Sequence, residues 1–431
     1  MSDATIQERL ITALLDTRCY PHPVDKVRVI ETHISWVLLA GDYAYKIKKA
    51  VDLGFLNYSD LASRRICCEE EIRLNRRTAP DIYLDTVAIG GSADDPKFGD
   101  LPAIEYAVRM HRFDSDHLLD SLLMRCKLTP QHIDRLAATI ARFHADLPAL
   151  ETDSAFGTAA SIHAAAQQNF EQMRLLLTED VDRESIAVLS RASEDEFAAC
   201  KHIFEARRAQ GFVRECHGDL HLGNVVLIGD EPVLFDCIEF NPALRWIDVM
   251  DEVAFTMMDM LHRNHPDLAW RFLNANLEAS GDYAGASVLR FYLAYRAAVR
   301  AKVCAIRAAQ PDITQRAREK ELHACRSYLT LARQCLPPRQ AALIITHGLP
   351  GSGKTTFSQH ALQQIGAIRI RSDVERKRLH GLSALESSRG GIYGQEATLR
   401  TYARLHELAQ ELLSAGYPVI VDAAFLKRDE R

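Results

Sequence analysis

Residues 217–224 read H-G-D-L-H-L-G-N, and a further acidic residue, Asp236, follows in the run L-F-D-C-I-E-F. The two short apolar runs that connect them, N-V-V-L-I and P-V-L-F-D, predict a β-hairpin. Phosphoryl transfer from ATP needs an acid that orients the acceptor hydroxyl and oxygen ligands that hold Mg²⁺ on the phosphates. Asp219 suits the first role, and Asn224 and Asp236 suit the second. The segment therefore predicts a phosphoryl-transfer site.

The spacing D-x-x-x-x-N, followed by a hairpin and another aspartate, matches the catalytic loop of protein kinases, with His-Gly-Asp where those enzymes carry His-Arg-Asp. The segment resembles the aminoglycoside phosphotransferase and choline kinase branch of the kinase-like fold, whose signature is H-G-D-x-x-x-x-N. The resemblance covers residues 27–335 as an order of elements. It implies a bilobal α+β domain and catalytic roles for His217 and Asp219. The alternative is that these two residues only cap a turn.

The sequence before this segment has the pattern of a strand-rich lobe with one helix. The predicted strands cover residues 27–33, 35–40, 43–48, 82–89 and 103–110, and the helix covers 59–77, where Pro80 ends it. Residues 116–210 and 262–335 have mainly helical spacing. We therefore predict a strand-rich lobe over about 27–112 and a helical lobe over about 113–336.

A kinase-like fold requires a lysine on the third strand, held against the α/β-phosphates, and a glutamate on the next helix that pairs with it. Lys46 in Y-A-Y-K-I-K occupies the place of that lysine, and Glu71 in E-E-E-I-R-L-N is the expected partner. Lys48 lies two residues on, hence on the same strand face, so the strand register stays open. Glu70 and Glu69 leave the helix register open in the same way. The alternative is that the lysines are surface charges of an edge strand.

Two features depart from the protein-kinase pattern. No G-x-G-x-x-G run precedes Lys46; the corresponding loop reads E-T-H-I-S-W, so a loop without those glycines must cover the phosphates, as the resembled branch tolerates. Cys237-Ile238 replaces the Phe-Gly that follows the metal-binding aspartate. A switch based on packing of that phenylalanine is therefore not supported, whereas the metal ligands are unaffected.

A second motif follows a predicted domain boundary at residues 337–340, P-P-R-Q. Residues 348–355 read G-L-P-G-S-G-K-T, after the apolar run A-A-L-I-I-T-H and before a helical pattern. This context predicts a phosphate-binding loop, because backbone N–H groups and a helix N-terminus surround phosphate oxygens there. In this loop Lys354 is predicted to reach the β/γ-phosphates, and Thr355 is predicted to give its hydroxyl to Mg²⁺. The predicted nucleotide-binding residues are Gly348, Gly351, Ser352, Gly353, Lys354, Thr355 and Thr356.

Two acidic residues end later strand patterns, Asp373 in A-I-R-I-R-S-D and Asp422 in P-V-I-V-D. Asp373 resembles the acceptor-binding aspartate of small P-loop kinases of the zeta-toxin and polynucleotide-kinase-like group, and its alternative role is an N-cap. Asp422 is placed like the acid that holds Mg²⁺ through water in such enzymes. Arg376 and Arg378 either meet an anionic substrate or face solvent.

The C-terminal pattern has few strands for a parallel sheet. Comparable P-loop kinases have further strands and an arginine-bearing lid, which supplies charge at the transition state. Arg428 and Arg431 are candidates for the start of such a lid. We expect either a truncated product or a second domain that binds nucleotide without completing catalysis alone.

The chain has 431 residues, of which 47% are hydrophobic and 26% charged, as in globular proteins with two or three domains. The net charge is −6, and neither the part of the chain before residue 340 nor the part after it is basic enough to indicate nucleic-acid binding. The ten cysteines lack a C-x-x-C pair and are expected to be reduced packing thiols rather than disulfide or zinc ligands. No leader pattern or bilayer-length apolar run is present, so we expect a soluble cytoplasmic protein without membrane partners.

Several other polar residues are expected to have structural roles. Asp248 and Asp251 are expected to begin and cap the next helix. A second group shares one helix face and either lines an acceptor pocket or braces the helical lobe: Tyr292, Arg296 and Arg300. A third group has no paired ligand spacing and is expected not to bind metal: His111, His144 and His163.

Together the motifs resemble bacterial two-domain proteins that join an aminoglycoside phosphotransferase-like kinase domain to a P-loop AAA-type ATPase or kinase domain. The resemblance implies a kinase-like domain over residues 1–336 and an α/β P-loop domain with a parallel sheet, C-terminally incomplete, over 341–431. We predict an ATP- and Mg²⁺-dependent phosphotransferase that acts on a small hydroxylated acceptor. The alternatives are an ATP-binding regulatory protein without turnover and a C-terminal nucleic-acid end kinase. The sequence determines neither the acceptor nor the oligomeric state.

Overall fold

The computed structural model describes residues 3–52, 54, 56–151, 153–310, 313–337, 340–349, 351–382 and 391–426. The chain forms two compact units. One contains Met1–Lys127 and His217–Arg245, and the other contains Leu128–Cys216 and Trp246–Arg431. The H-G-D motif therefore lies in the first unit, and the P-loop shares the second unit with most of the helices. The domain limits at 1–336 and 341–431 stay predictions.

Groups of strands and groups of helices follow one another along the chain. The strands are β1 Val27–Glu31, β2 Ser35–Ala40, β3 Tyr43–Lys48, β4 Tyr83–Ser92, β5 Asp95–Phe98, β6 Glu105–His111, β7 Val213–Glu215, β8 Val225–Ile228, β9 Glu231–Leu234, β10 Trp246–Asp248, β11 Leu343–Ile345, β12 Ile368–Arg371 and β13 Val419–Asp422. The helices are α1 Asp3–Ala13, α2 Leu61–Asn75, α3 Leu119–Met124, α4 Pro130–Asp146, α5 Ala159–Leu176, α6 Asp180–Ala209, α7 Val249–His262, α8 Pro266–Ser280, α9 Ala286–Ala308, α10 Gln315–Cys335, α11 Lys354–Ile365, α12 Ser372–Leu379 and α13 Gln395–Ser414.

The first unit is built on a six-stranded antiparallel sheet in the order β1-β2-β3-β6-β4-β5. One face packs on an apolar cluster to which α1 contributes Leu10 and Leu14, together with Tyr45 and Ile47 of β3. The other face packs on a cluster that includes Ile72 of α2. Because side chains alternate along a strand, the lysines of β3 project toward the face that α2 covers.

The predicted hairpin after the H-G-D motif is confirmed as β8 and β9, which pair antiparallel from Val225↔Leu234 to Ile228↔Glu231. A short 3-10 turn, Leu222–Asn224, leads into β8. Asn224 precedes β8 and Asp236 follows β9, so the motif and the metal-ligand candidates lie together at the open end of one hairpin. This hairpin belongs to the first unit, as does the six-stranded sheet.

The second unit is mainly helical, and one arginine connects three of its elements. Arg207, near the end of α6, donates to both carboxylate oxygens of Asp248 and to both of Asp282, at 2.7–2.8 Å. Asp248 also accepts from the Met250 N–H and is the N-cap of α7, as predicted. The arginine side chain is only 2% exposed, so its two carboxylate partners offset the cost of burying its charge.

The second unit also contains a three-stranded parallel sheet in the order β11-β13-β12, with β13 in the centre. The loop between β11 and α11 is the predicted phosphate-binding loop. Parallel strands place their carboxyl ends at one edge, so this loop and the end of β13 lie together. The predicted parallel α/β arrangement of the P-loop segment is confirmed.

The structure also contains elements that the sequence analysis did not predict. Helix α1 precedes the first predicted strand, and β5 lies between the predicted strands at 82–89 and 103–110. Helix α2 is shorter than predicted, and its Ile66 is 63% exposed rather than part of the apolar face. All ten cysteines are free thiols, as expected. Among the described helices, none is both long and apolar enough to cross a membrane.

We expect Arg207→Ala to destabilise the protein by about 3–5 kcal/mol, because it leaves two buried carboxylates without their cation. Urea unfolding followed by circular dichroism measures the effect. Arg183→Ala is the matched control, since Arg183 lies on the same helix in an exposed pair with Asp180. It should change the free energy of unfolding by less than about 0.5 kcal/mol. Equal effects from the two variants would contradict the assignment.

Candidate active site

A lysine, a glutamate and an aspartate from three separate elements meet on the face of the sheet that α2 covers. Lys46 Nζ donates to Glu71 Oε1 at 2.8 Å and to Asp236 Oδ1 at 2.5 Å. Burial alone would lower the pKa of Lys46, but the two carboxylates outweigh it and hold the pKa well above its usual value. The lysine therefore stays charged, with one partner behind it and one at the end of the hairpin.

Glu71 binds a second lysine with its other oxygen. Lys48 Nζ donates to Glu71 Oε2 at 2.7 Å and also to Glu239, which in turn accepts from the Tyr58 hydroxyl. Lys48 is 1% exposed and Glu71 is fully buried. Burial by itself would raise the pKa of Glu71, but Lys46 and Lys48 outweigh it, so the pKa lies well below its usual value.

These contacts answer the two questions of register. Lys46 is the lysine that reaches Asp236, and Lys48 lies behind it in the interior. On the helix, Glu70 pairs with Arg73 and Arg245 instead of with a lysine of β3. The sequence analysis missed Glu239 and Tyr58, because no local spacing connects residues so distant in the chain. The spacing of two residues between Lys46 and Lys48 was the sequence signal for a second lysine in this buried group.

The H-G-D segment forms a tight turn held by its own groups. His217 is fully buried, its Nε2 donates to the Phe235 carbonyl oxygen at 2.8 Å, and its Nδ1 accepts from the Asp219 N–H at 3.3 Å. Gly218 has φ of 87°, and a Cβ there would lie 2.7 Å from the Leu244 carbonyl oxygen, so glycine is required. His217 was predicted to be catalytic, but these bonds fit a residue that positions the turn.

Asn224 connects the turn to the acid predicted to act on the acceptor. Its Nδ2 donates to the Asp219 carbonyl oxygen at 2.9 Å and to Asp219 Oδ2 at 3.2 Å. His221 Nε2 lies 3.6 Å from the same carboxylate oxygen. The Asp219 side chain is 36% exposed, so it remains accessible to a molecule from solvent.

Asp236 has an uncommon backbone conformation, with φ of 66°. Its N–H donates to the Tyr83 hydroxyl at 3.1 Å, and the following N–H, of Cys237, donates to Asn75 Oδ1 at 2.9 Å. These two bonds hold the left-handed turn, which aspartate tolerates better than most residues. The turn directs the carboxylate toward Lys46.

A cavity of about 970 Å³ lies in the first unit beside this group. Its lining includes Lys46, Asn224 and Asp236 together with the apolar side chains of Leu39 and Met110. The volume lies in the range of small-molecule sites, and the lining combines apolar with polar side chains. Asn224 and Asp236 thus share the cavity, and Asp219 is joined to it through Asn224.

The turn between β1 and β2 covers part of the cavity and replaces a glycine-rich loop. Thr32 N–H donates to the Ser35 carbonyl oxygen at 2.8 Å, and the Thr32 hydroxyl lies within 3.0 Å of the Ser35 hydroxyl. Thr32, His33 and Ile34 line the cavity. Side-chain bonds across the turn therefore fix a loop that lacks the glycines of protein kinases.

The predicted phosphate-binding loop has the backbone that its glycines permit. Gly348, Gly351 and Gly353 have φ of 145°, 80° and 83°. Lys354, the first residue of α11, donates from Nζ to the carbonyl oxygens of Gly348 and Leu349, at 2.9 and 2.7 Å. The remaining predicted residues, Ser352, Thr355 and Thr356, lie in the same loop and the first turn of the helix. Pro350 lies outside the described residues.

Asp422, at the end of β13, is buried close to this loop. Its Oδ2 accepts from the Ser358 hydroxyl at 3.1 Å, and its Oδ1 lies 3.4 Å from the Thr346 hydroxyl. The two hydroxyls come from α11 and from the residue after β11. Ser358 lies almost one helical turn beyond Thr355, the other residue of this region that is predicted to bind Mg²⁺.

The other predicted residues of this region are engaged within the protein. Asp373 is not an N-cap, because α12 has its N-cap at Arg371; it lies in the first turn and pairs with Lys377 at 3.1 Å. Arg376 donates to the Ile392 carbonyl oxygen, and Arg378 to the Glu278 carbonyl oxygen, so neither faces solvent freely. The lid candidates Arg428 and Arg431 lie outside the described residues.

The polar residues for which a structural role was expected make contacts within the protein. Arg296 pairs with Asp251 at 2.6 Å in the interior, and burial raises the pKa of Asp251 to about 6 although the arginine opposes it. Tyr292 is buried, and the Arg300 guanidinium lies 5.8 Å from the centre of the Tyr328 ring. This helix face therefore braces the helical region.

The three histidines also have protein partners. His111 stacks on Tyr43, and His163 Nε2 lies 2.7 Å from Glu194 Oε2. His144 Nε2 lies 2.8 Å from Glu252 Oε2, with the Cys216 thiol nearby, in a fully buried group whose ligand atoms lie within 4.8 Å of one another. The histidine–glutamate hydrogen bond and the bond from the Cys216 thiol to the Ile247 carbonyl oxygen account for the burial of this group.

Known families match both the region that carries the H-G-D motif and the region that carries the P-loop. Residues 99–292 match the phosphotransferase enzyme family, and residues 343–431 match an AAA domain. The chain thus contains a phosphotransferase-family domain with a kinase-like fold and a C-terminal AAA domain. It is 30% identical to uncharacterized proteins of Mycobacterium tuberculosis and Mycobacterium bovis over 417 residues, 95% of this chain and 81% of each relative. The chain belongs to the family of these proteins.

Solved structures with similar folds are kinases of small molecules. The amicoumacin kinase hAmiN, solved with AMP-PNP, Ca²⁺ and Ami, is 12% identical, with a TM-score of 0.47 over 75% of this chain and 93% of that chain. Choline kinase from Cryptosporidium parvum is 9% identical, with a TM-score of 0.45 over 75% of this chain and 94% of that chain. Choline kinase LicA from Streptococcus pneumoniae is 12% identical, with a TM-score of 0.42 over 75% of this chain and 99% of that chain.

We expect Glu71→Gln to destabilise the protein by about 3–5 kcal/mol at pH 7, because it removes the charge that two buried lysines share. The folded-state pKa of Glu71 is lowered from 4.5. Its stabilisation is therefore complete above about pH 4.5 and is lost as the pH falls toward the folded-state value. The difference in unfolding free energy between the wild type and Glu71→Gln should narrow below that pH.

Urea titrations at a series of pH values measure this difference. Glu69→Gln is the control, because Glu69 lies on the same helix in an exposed pair with Arg65. It should change stability by less than about 1 kcal/mol at every pH. A constant gap between wild type and Glu71→Gln down to pH 3 would be the contrary result.

Proposed function

We propose that the protein transfers the γ-phosphoryl group of ATP to a hydroxyl of a small acceptor, with Mg²⁺ and with the Asp219 carboxylate as the general base that accepts the hydroxyl proton. The observation that supports this most directly is Lys46, held between Glu71 and Asp236 in the wall of a cavity that Asn224 also lines. In kinase chemistry this set of groups positions phosphates and metal, and little else is required of the protein.

The cavity supplies both parts of a nucleotide site. Apolar lining residues such as Leu39 and Met110 would contact the base, and the charged amino group of Lys46 would contact the phosphates. Glu71 keeps this amino group charged and fixes its direction. Thr32, His33 and Ile34 lie over the cavity, where they would cover the phosphates and exclude water.

The residues present fit Mg²⁺, which prefers carboxylate and amide oxygens. Asp236 offers a carboxylate, and Asn224 directs its amide nitrogen to Asp219, which leaves the amide oxygen for the metal. When bound, Mg²⁺ neutralises charge that develops on the phosphates. Asp236 would then exchange its bond to Lys46 for the metal, and Lys46 would turn to phosphate.

Asp219 holds the acceptor hydroxyl and takes its proton. Asn224 fixes the carboxylate through Oδ2, and His217 fixes the backbone of the turn, so the acid is aimed before the acceptor binds. The partial exposure of Asp219 gives an acceptor access to it. His217 acts through the turn rather than on the acceptor.

A second nucleotide site is proposed at the P-loop of the second unit. There Lys354 would exchange its bonds to the Gly348 and Leu349 carbonyl oxygens for β/γ-phosphate oxygens. Thr355 and Asp422 are the proposed Mg²⁺ ligands, the latter through water, and hydroxyl and carboxylate oxygens suit that ion. Asp373, partly exposed in the first turn of α12, is the proposed acceptor contact of this domain.

We expect Asp219→Asn to lower phosphoryl transfer to an acceptor by about 10²–10⁴-fold, because it removes the proton acceptor while keeping the hydrogen bond from Asn224 possible. The assay incubates the full chain with γ-³²P-ATP, Mg²⁺ and pools of small hydroxylated metabolites, and separates labelled products. Asp195→Asn is the control, since Asp195 is exposed on α6. ATP binding without transfer to any pool would instead favour the regulatory protein without turnover.

Lys354→Ala should remove nucleotide binding at the P-loop and leave phosphoryl transfer through Asp219 within about threefold of the wild type, because the two sites use separate residues. Isothermal titration with ATP and Mg²⁺ is expected to give two sites in the wild type and one in the variant. Lys201→Ala, an exposed lysine of α6, controls for loss of charge. Transfer of label to a 5′-hydroxyl oligonucleotide would favour the end-kinase alternative.

A further inference from the structure

Strand β12 of the parallel sheet is hydrogen-bonded along its outer edge by a side chain of α8. Asn274 Nδ2 donates to the Ala367 carbonyl oxygen at 2.9 Å, and its Oδ1 accepts from the Arg369 N–H at 2.7 Å. The amide thus pairs with the backbone as a neighbouring strand would. Asn274 is 1% exposed. The sheet that carries the P-loop is therefore docked on a helix from the phosphotransferase match.

The same helix places a carboxylate on the side chain of that strand. Glu278, one helical turn after Asn274, accepts from Arg369 Nε at 3.1 Å and Nη2 at 2.7 Å. Its other oxygen accepts from Arg371 Nη1 at 3.3 Å. Arg369 and Glu278 side chains are 5% and 13% exposed. A pair this buried is held in one geometry, because either partner alone would carry an uncompensated charge.

Arg369 uses its remaining nitrogen on the first turns of α11. Arg369 Nη1 donates to the Ser358 hydroxyl at 3.3 Å and to the Thr355 carbonyl oxygen at 3.4 Å. Ser358 is fully buried, and its hydroxyl has one proton to give. Since the arginine can only donate, that proton is available to two acceptors, Asp422 Oδ2 and the Thr355 carbonyl oxygen, each 3.1 Å away. The Ser358 hydroxyl therefore links Arg369 to the carboxylate of Asp422.

We propose that Glu278 is a positioning residue for the P-loop site: through Arg369 and Ser358 it orients the carboxylate of Asp422, and so sets the affinity of this site for Mg²⁺ with nucleotide. This rests on the proposed Mg²⁺–nucleotide site at the P-loop. Helix α8, which lies in the phosphotransferase match, would therefore orient Asp422, the proposed metal ligand in the AAA match. Residues that orient a metal ligand in this way typically change metal affinity by about 10–100-fold when they are replaced.

The test measures Mg²⁺ and nucleotide separately on the full-length chain. A fluorescent ATP analogue is titrated at a series of Mg²⁺ concentrations, and the component of binding that Lys354→Ala removes is followed. Glu278→Gln keeps the shape of the side chain but weakens its hold on Arg369. Ser358→Ala removes one oxygen and leaves the ion pair intact, so it remains informative if the first variant folds poorly.

Both variants should raise the Mg²⁺ concentration for half-saturation by about 10-fold or more, with less than about threefold change in nucleotide affinity measured in EDTA. Asp134→Asn is the matched control, because Asp134 of α4 forms an ion pair with Arg271 of the same helix α8. It should leave the Mg²⁺ dependence unchanged.

The outcomes separate this proposal from the one on which it rests. If the wild type shows no binding that Lys354→Ala removes, the proposed P-loop site itself is wrong. If that binding exists but either variant leaves the Mg²⁺ dependence within twofold of the wild type, the positioning role is wrong and the site stands. A shift of equal size in Asp134→Asn would show a general loss of packing and would also overturn the positioning role.

Discussion

The carboxylate of Glu71 is the contact on which the first unit depends. It is fully buried and accepts from two lysines of one strand, one bond to each oxygen. A buried carboxylate is stable only when its charge is paired and its oxygens are hydrogen-bonded, so α2 and β3 have little freedom to move apart. Lys46 then carries this constraint to Asp236, and Lys48 carries it to Glu239. The helix, the sheet and the end of the hairpin are thereby held together by charge as well as by apolar packing.

The chemistry proposed for the H-G-D segment depends on a backbone that is held in one conformation. Gly218 and Asp236 both have positive φ, one because no side chain fits against Leu244 and the other because two hydrogen bonds hold it. His217 closes the turn from within. Asp219, Asn224 and Asp236 are therefore held by the turn itself, which is the positioning that the proposed phosphoryl transfer requires.

The second unit packs helices of the phosphotransferase match against the sheet that carries the P-loop. The helices of the phosphotransferase match contact the P-loop sheet through buried polar groups, Asn274 on the backbone of β12 and Glu278 on Arg369. Buried polar groups bond only in particular directions, so these contacts fix orientation more strictly than apolar packing does. A proposed metal ligand, Asp422, lies at the end of this series of contacts.

The sequence by itself determined both motifs, five of the six strands of the first sheet, the hairpin and most of the helical regions, because these depend on local spacing and turn chemistry. It also placed Lys46 and Glu71 on the right elements, and their nucleotide-binding roles stay predictions. Only the tertiary structure decided that Lys48 shares Glu71, that Glu239 and Tyr58 complete the buried group, and that Ser358 contacts Asp422. Those pairs join residues far apart in the chain. Their partners are chosen by which charges and donors are buried together, and no local pattern records that choice.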